Sequence, residues 1–311
     1  MRRNVLIFHS GALGDFILTW PLAVALSRLL PQSRIFYVTH GQKGKLAEKV
    51  LGVESADIES GWHHLFAESA QLPDPATRLL AGAQWVFSFV AAEGSAWTRN
   101  IARLAPEARL VCLSQSPPGG YVGHLTDYLV EQLHPWTVWE QGVSQILRSI
   151  AQRGVAPRRN VSAETRSVTV IHPGSGSPHK CWPPDSFLEL ARRLDGARGD
   201  GPRLRVIIGE VEREQWPAAR IDAFNAMAEL RQPENLVELF DAYAGAARFI
   251  GNDSGPGHLA AITGIPTLSL FGPTDPARWR PLGPAVTVLR RNPLGELGID
   301  EVVREMEDVK T

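Results

Sequence analysis

Residues 249–279 read FIGNDSGPGHLAAITGIPTLSLFGPTDPARW, and the order of residue types in this stretch decides the fold class. Arg248 to Gly251 reads as a short strand that ends in Asn252, Asp253, Ser254 and Gly255, residues that close a strand and open a turn. His258 to Thr263 then reads as a helix, and Thr267 to Phe271 as a second apolar strand stopped by Gly272 and Pro273. A strand, a helix and a strand in so short a span form a βαβ unit. Strands that are apolar along their whole length belong to a parallel sheet covered on both faces.

The same alternation extends outward in both directions. Upstream lie Ser167 to Ile171 (strand), Asp185 to Leu194 (helix) and Leu204 to Ile208 (strand). The chain opens with strand Val5 to Phe8 and one helix from Asp15 to Leu30, where Phe16, Trp20, Ala23 and Leu26 recur at helical spacing until Pro31. Ile35 to Val38, Lys43 to Leu51, Trp85 to Phe89, Trp97 to Leu104 and Leu110 to Leu113 continue it as strand, helix, strand, helix, strand. Between the two series, GVAPRRNVSAETR (154–166) loses periodicity and gains Pro, Gly and charge, the composition of a linker. The expectation is an α/β chain of two parallel-sheet domains, 1–155 and 166–295, with an amphipathic helix in 296–311 that docks on the body.

Composition narrows the function classes. Lys plus Arg (32) and Asp plus Glu (33) nearly cancel, so the footprint of a general nucleic-acid binder is absent. Cys112 and Cys181 are the two cysteines, too few for a disulfide framework or a zinc site, and they fit a reducing, cytoplasmic setting. The apolar run before His9 is too short for a signal-peptide core or a membrane span. Nothing in the sequence fixes an oligomeric state.

Three loops stand at strand ends, where open α/β sheets bind ligands. In HSGALGDF (9–16), Gly11 and Gly14 allow backbone amides to approach an anion, while Asp15 either caps the helix or acts as a base. The loop is not GxGxxG, and Thr39 and His40 stand where a dinucleotide fold places an acid, which disfavours a dehydrogenase. HPGSGSPHKCWPPDSF (172–187) combines Gly174, Ser175, Gly176 and Lys180, either a phosphate cradle with a mobile cation or a solvated loop anchored by Trp182. In the third loop Ser254 and the amides of Gly255 to Gly257 form a second anion site; Asp253 reads equally as an N-cap, and His258 as a core histidine.

GxSxG, Walker A and DxD are absent, and no His, Cys or acidic set stands at metal-ligand spacing, so no metal is expected. Trp62, Trp85, Trp97, Trp136 and Trp139 read as packing residues.

Together, GALGDFILTWPLAVALSRLLP, HPGSGSPHKCWP, GEVERE (209–214) and GNDSGPGHLAAITGIPTLSLFGPTDPARWRPLGP resemble glycosyltransferase family 9, the ADP-heptose:lipopolysaccharide heptosyltransferases. The resemblance does not extend over 41–141. It implies a GT-B fold, two Rossmann-like domains facing an interdomain cleft, with the acceptor on the N-terminal side and the nucleotide sugar on the C-terminal side. It further implies that Asp15 is the general base beside the acceptor-side glycines Gly11 and Gly14. Ser175, Gly176, Lys180, Asp253, Ser254, Gly255 and His258 would hold the donor diphosphate and sugar, and Glu212 the ribose, with Glu210 or Glu214 in its place if the register slips.

The implied reaction is inverting, single-displacement and metal-free. An ADP-sugar serves as substrate rather than cofactor, and the acceptor is a lipid-linked or glycan molecule reached by peripheral contact with the inner membrane. In SFVAAEGSAWTRN (88–100) the chain departs from the family pattern, with Arg99 and Arg103 standing in for basic acceptor contacts, and Cys181 replaces a basic or polar residue beside Lys180. An epimerase or hydrolase of the same fold, or a degenerate nucleotide-binding module, are the competing readings.

Overall fold

The computed structural model describes residues 3–155, 167–196 and 203–308. The chain divides into two compact units, Met1–Leu147 and Arg148–Thr311. Residues 156–166, read from sequence as a linker, lie outside the described residues.

In the N-terminal unit, β1 (Asn4–Phe8) is buried at every position and pairs in parallel with β2 (Arg34–Thr39) on one side and β4 (Ala83–Ser88) on the other. β3 (Glu54–Asp57) and β5 (Arg109–Cys112) complete the order β3-β2-β1-β4-β5. A strand flanked on both edges must be apolar throughout, which NVLIF supplies after its first residue. The helix expected over Asp15 to Leu30 is two helices, α1 (Leu13–Leu18) and α2 (Trp20–Leu29). Pro21, which has no N–H, occupies the first turn of α2, and the Thr19 hydroxyl lies 2.7 Å from the Phe16 carbonyl and 2.9 Å from the Tyr37 hydroxyl. α3 (Gly41–Leu51), α4 (Asp74–Ala81) and α5 (Ala96–Leu104) pack on the sheet, followed by α6 (Leu125–Gln132) and α7 (Thr137–Arg153). Phe8 meets Trp62 and Trp97 edge-on, each at 5.0 Å between centroids, at the centre of one core.

The division between the units falls inside α7, upstream of the boundary read from composition. The residues just after α7 belong with the second unit, where the Val155 N–H donates to the Ile262 carbonyl at 2.8 Å.

The C-terminal unit holds β6 (Val168–His172), β7 (Arg203–Ile207), β8 (Glu229–Arg231), β9 (Ala246–Asn252), β10 (Thr267–Phe271) and β11 (Val286–Arg290), all parallel in the order β11-β10-β9-β6-β7-β8. Around them lie α8 (Pro184–Gly196), α9 (Glu210–Gln215), α10 (Ala218–Asn225), α11 (Leu236–Asp241), α12 (Gly255–Ile262), α13 (Pro276–Trp279) and α14 (Ile299–Asp308). α14 buries Val302 and Met306 in the core that contains Trp182 and Phe187. Among the described residues no helix is long and apolar enough to cross a membrane.

Candidate active site

Each unit presents its conspicuous loops at the carboxyl ends of its central strands, and each set is described within its own unit. In the N-terminal unit, β1 runs through the fully buried His9 into Ser10, Gly11 and Ala12, and α1 starts at Leu13. Gly14 and Asp15 are the second and third residues of α1. Asp15 stands in the first turn of α1, whose N-cap position is taken by Ala12. Gly11 is closely surrounded: a Cβ there would lie 2.8 Å from Gln115 Oε1 and 3.4 Å from Asp15 Cβ.

Sequence reasoning missed Lys43. It comes from the first turn of α3, in the segment outside the family resemblance, yet its ammonium donates to the Gly11 carbonyl and its side chain is buried. Burial pulls the Lys43 pKa down, while the carboxylate of Asp15 opposes that shift. A cation thus lies within electrostatic reach of the proposed base. The available signal was a lysine between glycines, GQKGK, opening a helix directly after a buried strand. Burial, with the positive charge of Lys43 and then His40, holds the His9 pKa down to about 3. His9 is therefore neutral, its Nε2 against the Gln115 side-chain amide.

In the C-terminal unit the loop after β6 is fastened to the end of β9. Asn252, wholly buried, donates to the Pro173 carbonyl at 2.7 Å and accepts from the Trp182 N–H at 2.8 Å. Ser175 Oγ donates to the Asp253 carbonyl at 3.0 Å, so its hydroxyl proton is spent joining two loops. Gly176 faces open space. Lys180 closes a short 3-10 turn, Pro178–Lys180, and its Nζ donates to Asp253 Oδ2 at 2.9 Å. Thr274, from the loop after β10, donates to the same oxygen at 2.7 Å. Asp253 is therefore not the N-cap of α12 but a buried carboxylate that aims a partly exposed lysine. Ser254 takes the cap position without making a side-chain cap bond, and its Oγ has no partner among the described residues. Gly255 begins α12, and His258 is its buried fourth residue.

Of the three glutamates in GEVERE, Glu210 and Glu214 are exposed and Glu212 is buried. Glu212 Oε2 accepts from the Gly209 N–H at 2.8 Å at the start of α9, and its carboxylate fills the space beside Gly174, where a Cβ would lie 2.0 Å from Oε1. The loops after β6 and β7 thus meet at Glu212. His172, at the end of β6, has its pKa lowered by burial against the opposing charge of Glu212. Burial, reinforced by Glu212, raises the pKa of Cys181 and keeps it a thiol. Asn252 and Thr274 were not singled out from sequence; both lie in the stretch that was quoted, but their role depends on the pairing of β9 with β6 and β10.

Arg99 and Arg103, read from sequence as stand-ins for basic acceptor contacts, are both exposed and each makes local bonds. Arg99 Nη1 donates to the Gly94 carbonyl at 2.6 Å, and Arg103 Nη2 donates to the Ala70 carbonyl at 2.6 Å and Asn100 Oδ1 at 3.2 Å. Both guanidinium groups brace their own neighbourhood.

The family model for glycosyltransferase family 9 (heptosyltransferase) matches residues 129–301, more than half of the chain. The chain is 32% identical over 118 residues to lipopolysaccharide heptosyltransferase 3 of Escherichia coli, covering 36% of this chain and 33% of that protein. It is 39% identical over 98 residues to lipopolysaccharide heptosyltransferase 1 of Pseudomonas aeruginosa, covering 31% and 26%. These alignments span about a third or less of either relative. The fold is similar to that of E. coli heptosyltransferase WaaC with ADP, with a TM-score of 0.69 and 17% identity over 99% of this chain and 100% of the other.

Proposed function

The chain belongs to glycosyltransferase family 9, and from that premise we propose that it moves a heptose, or a related sugar, from an ADP-sugar to a cell-envelope glycan such as the lipopolysaccharide inner core. The observation that carries the donor half is the set Lys180, Asp253, Thr274 and Ser254 at the start of α12. One proton of the Lys180 ammonium is fixed by Asp253, which leaves two for an incoming diphosphate. The unspent Ser254 hydroxyl and the first free amides of α12 supply neutral donors. Buried Glu212 offers its Oε1 edge to a ribose hydroxyl while Gly209 holds the other oxygen.

In this reading Asp15 takes the proton of the acceptor hydroxyl as that oxygen attacks the anomeric carbon, inverting it. The bond to the diphosphate breaks and ADP leaves with the extra negative charge. Lys180 and the α12 amides stabilise that charge as it grows, which accelerates the step because the interaction is stronger in the transition state than in the ground state. Lys43 favours the ionised form of Asp15, the form a base requires. Cationic side chain and amides do the work that a divalent ion performs elsewhere, so turnover is expected to survive chelation. Action at the cytoplasmic face, with peripheral membrane contact to reach a lipid-linked acceptor, completes the proposal.

Calorimetric titration with ADP, UDP and NAD tests the donor assignment. Selective ADP binding that is lost in Lys180→Ala supports it, and a preference for UDP or NAD refutes it. Transfer of labelled heptose to extracted cell-envelope glycans in the presence of EDTA then tests the reaction; release of free sugar without acceptor would indicate a hydrolase instead.

A further inference from the structure

Gly41 and Gly44 flank Lys43 in the first turn of α3, and both are pressed against β3. A Cβ at Gly44 would lie 2.7 Å from Ser55 Cβ and Oγ, and one at Gly41 would lie 3.3 Å from Asp57 Oδ2. Glycine weakens a helix relative to alanine, so two of them in a turn that has no side-chain cap answer to close approach rather than to helix formation. With the turn held against β3, Lys43 reaches across β2 to the loop after β1, where its ammonium donates to the Gly11 carbonyl.

A lysine only 9% exposed is costly unless its charge is met. The Gly11 carbonyl takes one proton, and the charge of Asp15 opposes the effect of burial. Methionine would fill the same space with no charge to satisfy, so packing alone does not account for a lysine here. Gly11 is also the residue against which Asp15 stands, with Gln115 and His9 closing its other sides. Ala12, the next residue, is the N-cap of α1. A shift of the Gly11 carbonyl is therefore passed directly to the turn that carries Asp15.

Resting on the transferase reading, we infer that Lys43, seated by Gly41 and Gly44, is the positioning residue that sets the Asp15 carboxylate for removal of the acceptor proton. The other titratable groups at the ends of β1, β2 and β3 are His9, which is neutral, His40, 3.4 Å from Glu59, and Asp57 beside Gly41. Glu93 and Cys112, past β4 and at the end of β5, act on one another. The charge of Lys43 is the one coupled to Asp15.

In Lys43→Met, kcat for heptose transfer should fall about 10–100-fold while KM for the ADP-sugar stays within about twofold. The acid limb of the kcat profile, and the Asp15 carboxyl titration followed by carbon-detected NMR, should both move to higher pH by about half a pH unit or more, because the cation that favours the carboxylate is gone. Lys43→Arg keeps the charge and should return both toward the parent. Gly44→Ala leaves every charge in place but drives the turn off Ser55, so it should slow transfer about 10-fold, and adding Ser55→Gly should recover the rate. Parental kcat in Lys43→Met, or a slower enzyme whose acid limb and Asp15 titration stay put, overturns the inference, as does a Gly44→Ala variant as fast as the parent. The carboxyl titration needs no turnover. A parent protein that transfers no heptose therefore refutes the proposed function, whereas a titration indifferent to Lys43→Met in an active parent refutes this inference alone.

Discussion

The Lys180–Asp253 pair offers a double-mutant cycle that separates holding the fold from holding the donor. At 2.9 Å, two unit charges attract by about 6 kcal/mol at an effective dielectric constant of about 20. Desolvation of the carboxylate, 6% exposed, offsets much of this. Removing one partner of a buried pair costs about 3–5 kcal/mol, and because Lys180 remains 34% exposed the expected loss in Lys180→Met is smaller, about 2 kcal/mol. For a unit of this size that lowers its melting temperature by about 4–8 °C in scanning calorimetry.

Asp253→Asn keeps the bond from Thr274 and lets Lys180 turn to solvent, so about 1 kcal/mol is expected. The double variant should melt close to Asp253→Asn, since no charge is left stranded. ADP affinity should behave otherwise, falling about 10–100-fold in Lys180→Met and staying low in the double variant. Additive melting losses would refute the ion pair as a stabilising contact, and full ADP affinity in Lys180→Met would refute the donor role of the lysine.

Asp15→Asn should reduce kcat by about 10²–10⁴ in a transfer assay while ADP affinity changes less than twofold; a matching loss of ADP affinity would contradict a base role. Gly174→Ala should displace Glu212, because the new Cβ would sit 2.0 Å from its Oε1, costing about 1–3 kcal/mol in urea unfolding along with ADP affinity. Gly174→Ala combined with Glu212→Ala should regain the stability but not the affinity. His9, whose pKa in the fold is about 3 against an ordinary 6.5, binds its proton more readily when unfolded. Its contribution is therefore complete above about pH 6.5 and is lost as pH falls toward 3, by up to about 1.4 kcal/mol per pH unit. In His9→Gln, stability between pH 6.5 and pH 4 should decline less steeply than in the parent; identical slopes would contradict a buried neutral imidazole.

The sequence made the strands legible because a doubly covered strand favours apolar residues at most of its positions: NVLIF, VTVIH and TLSLF are all buried along their length. The break at Thr19 was not legible from periodicity, since Phe16 before it and Trp20 after it keep helical spacing and only Pro21 marks the turn. The family resemblance pointed to Glu212 with Glu210 and Glu214 as alternatives, and what sets it apart physically is its burial against Gly174, a contact between residues far apart in the chain. Asp253 offered two roles in sequence, and the third, accepting from Lys180 and Thr274, arises from three strand ends lying side by side. Lys43 was hidden for a related reason: its charge matters through a backbone carbonyl that bears no residue signature.

Asn252 grips the loop after β6 through main-chain atoms, the Pro173 carbonyl and the Trp182 amide. A clasp of that kind is indifferent to what the intervening side chains are. Positions such as 177, 179 and 181 can therefore drift over evolutionary time while the loop keeps its shape, which explains how a cysteine can stand beside Lys180 without dismantling the turn. Laboratory libraries that randomise these three positions should retain a high fraction of folded members.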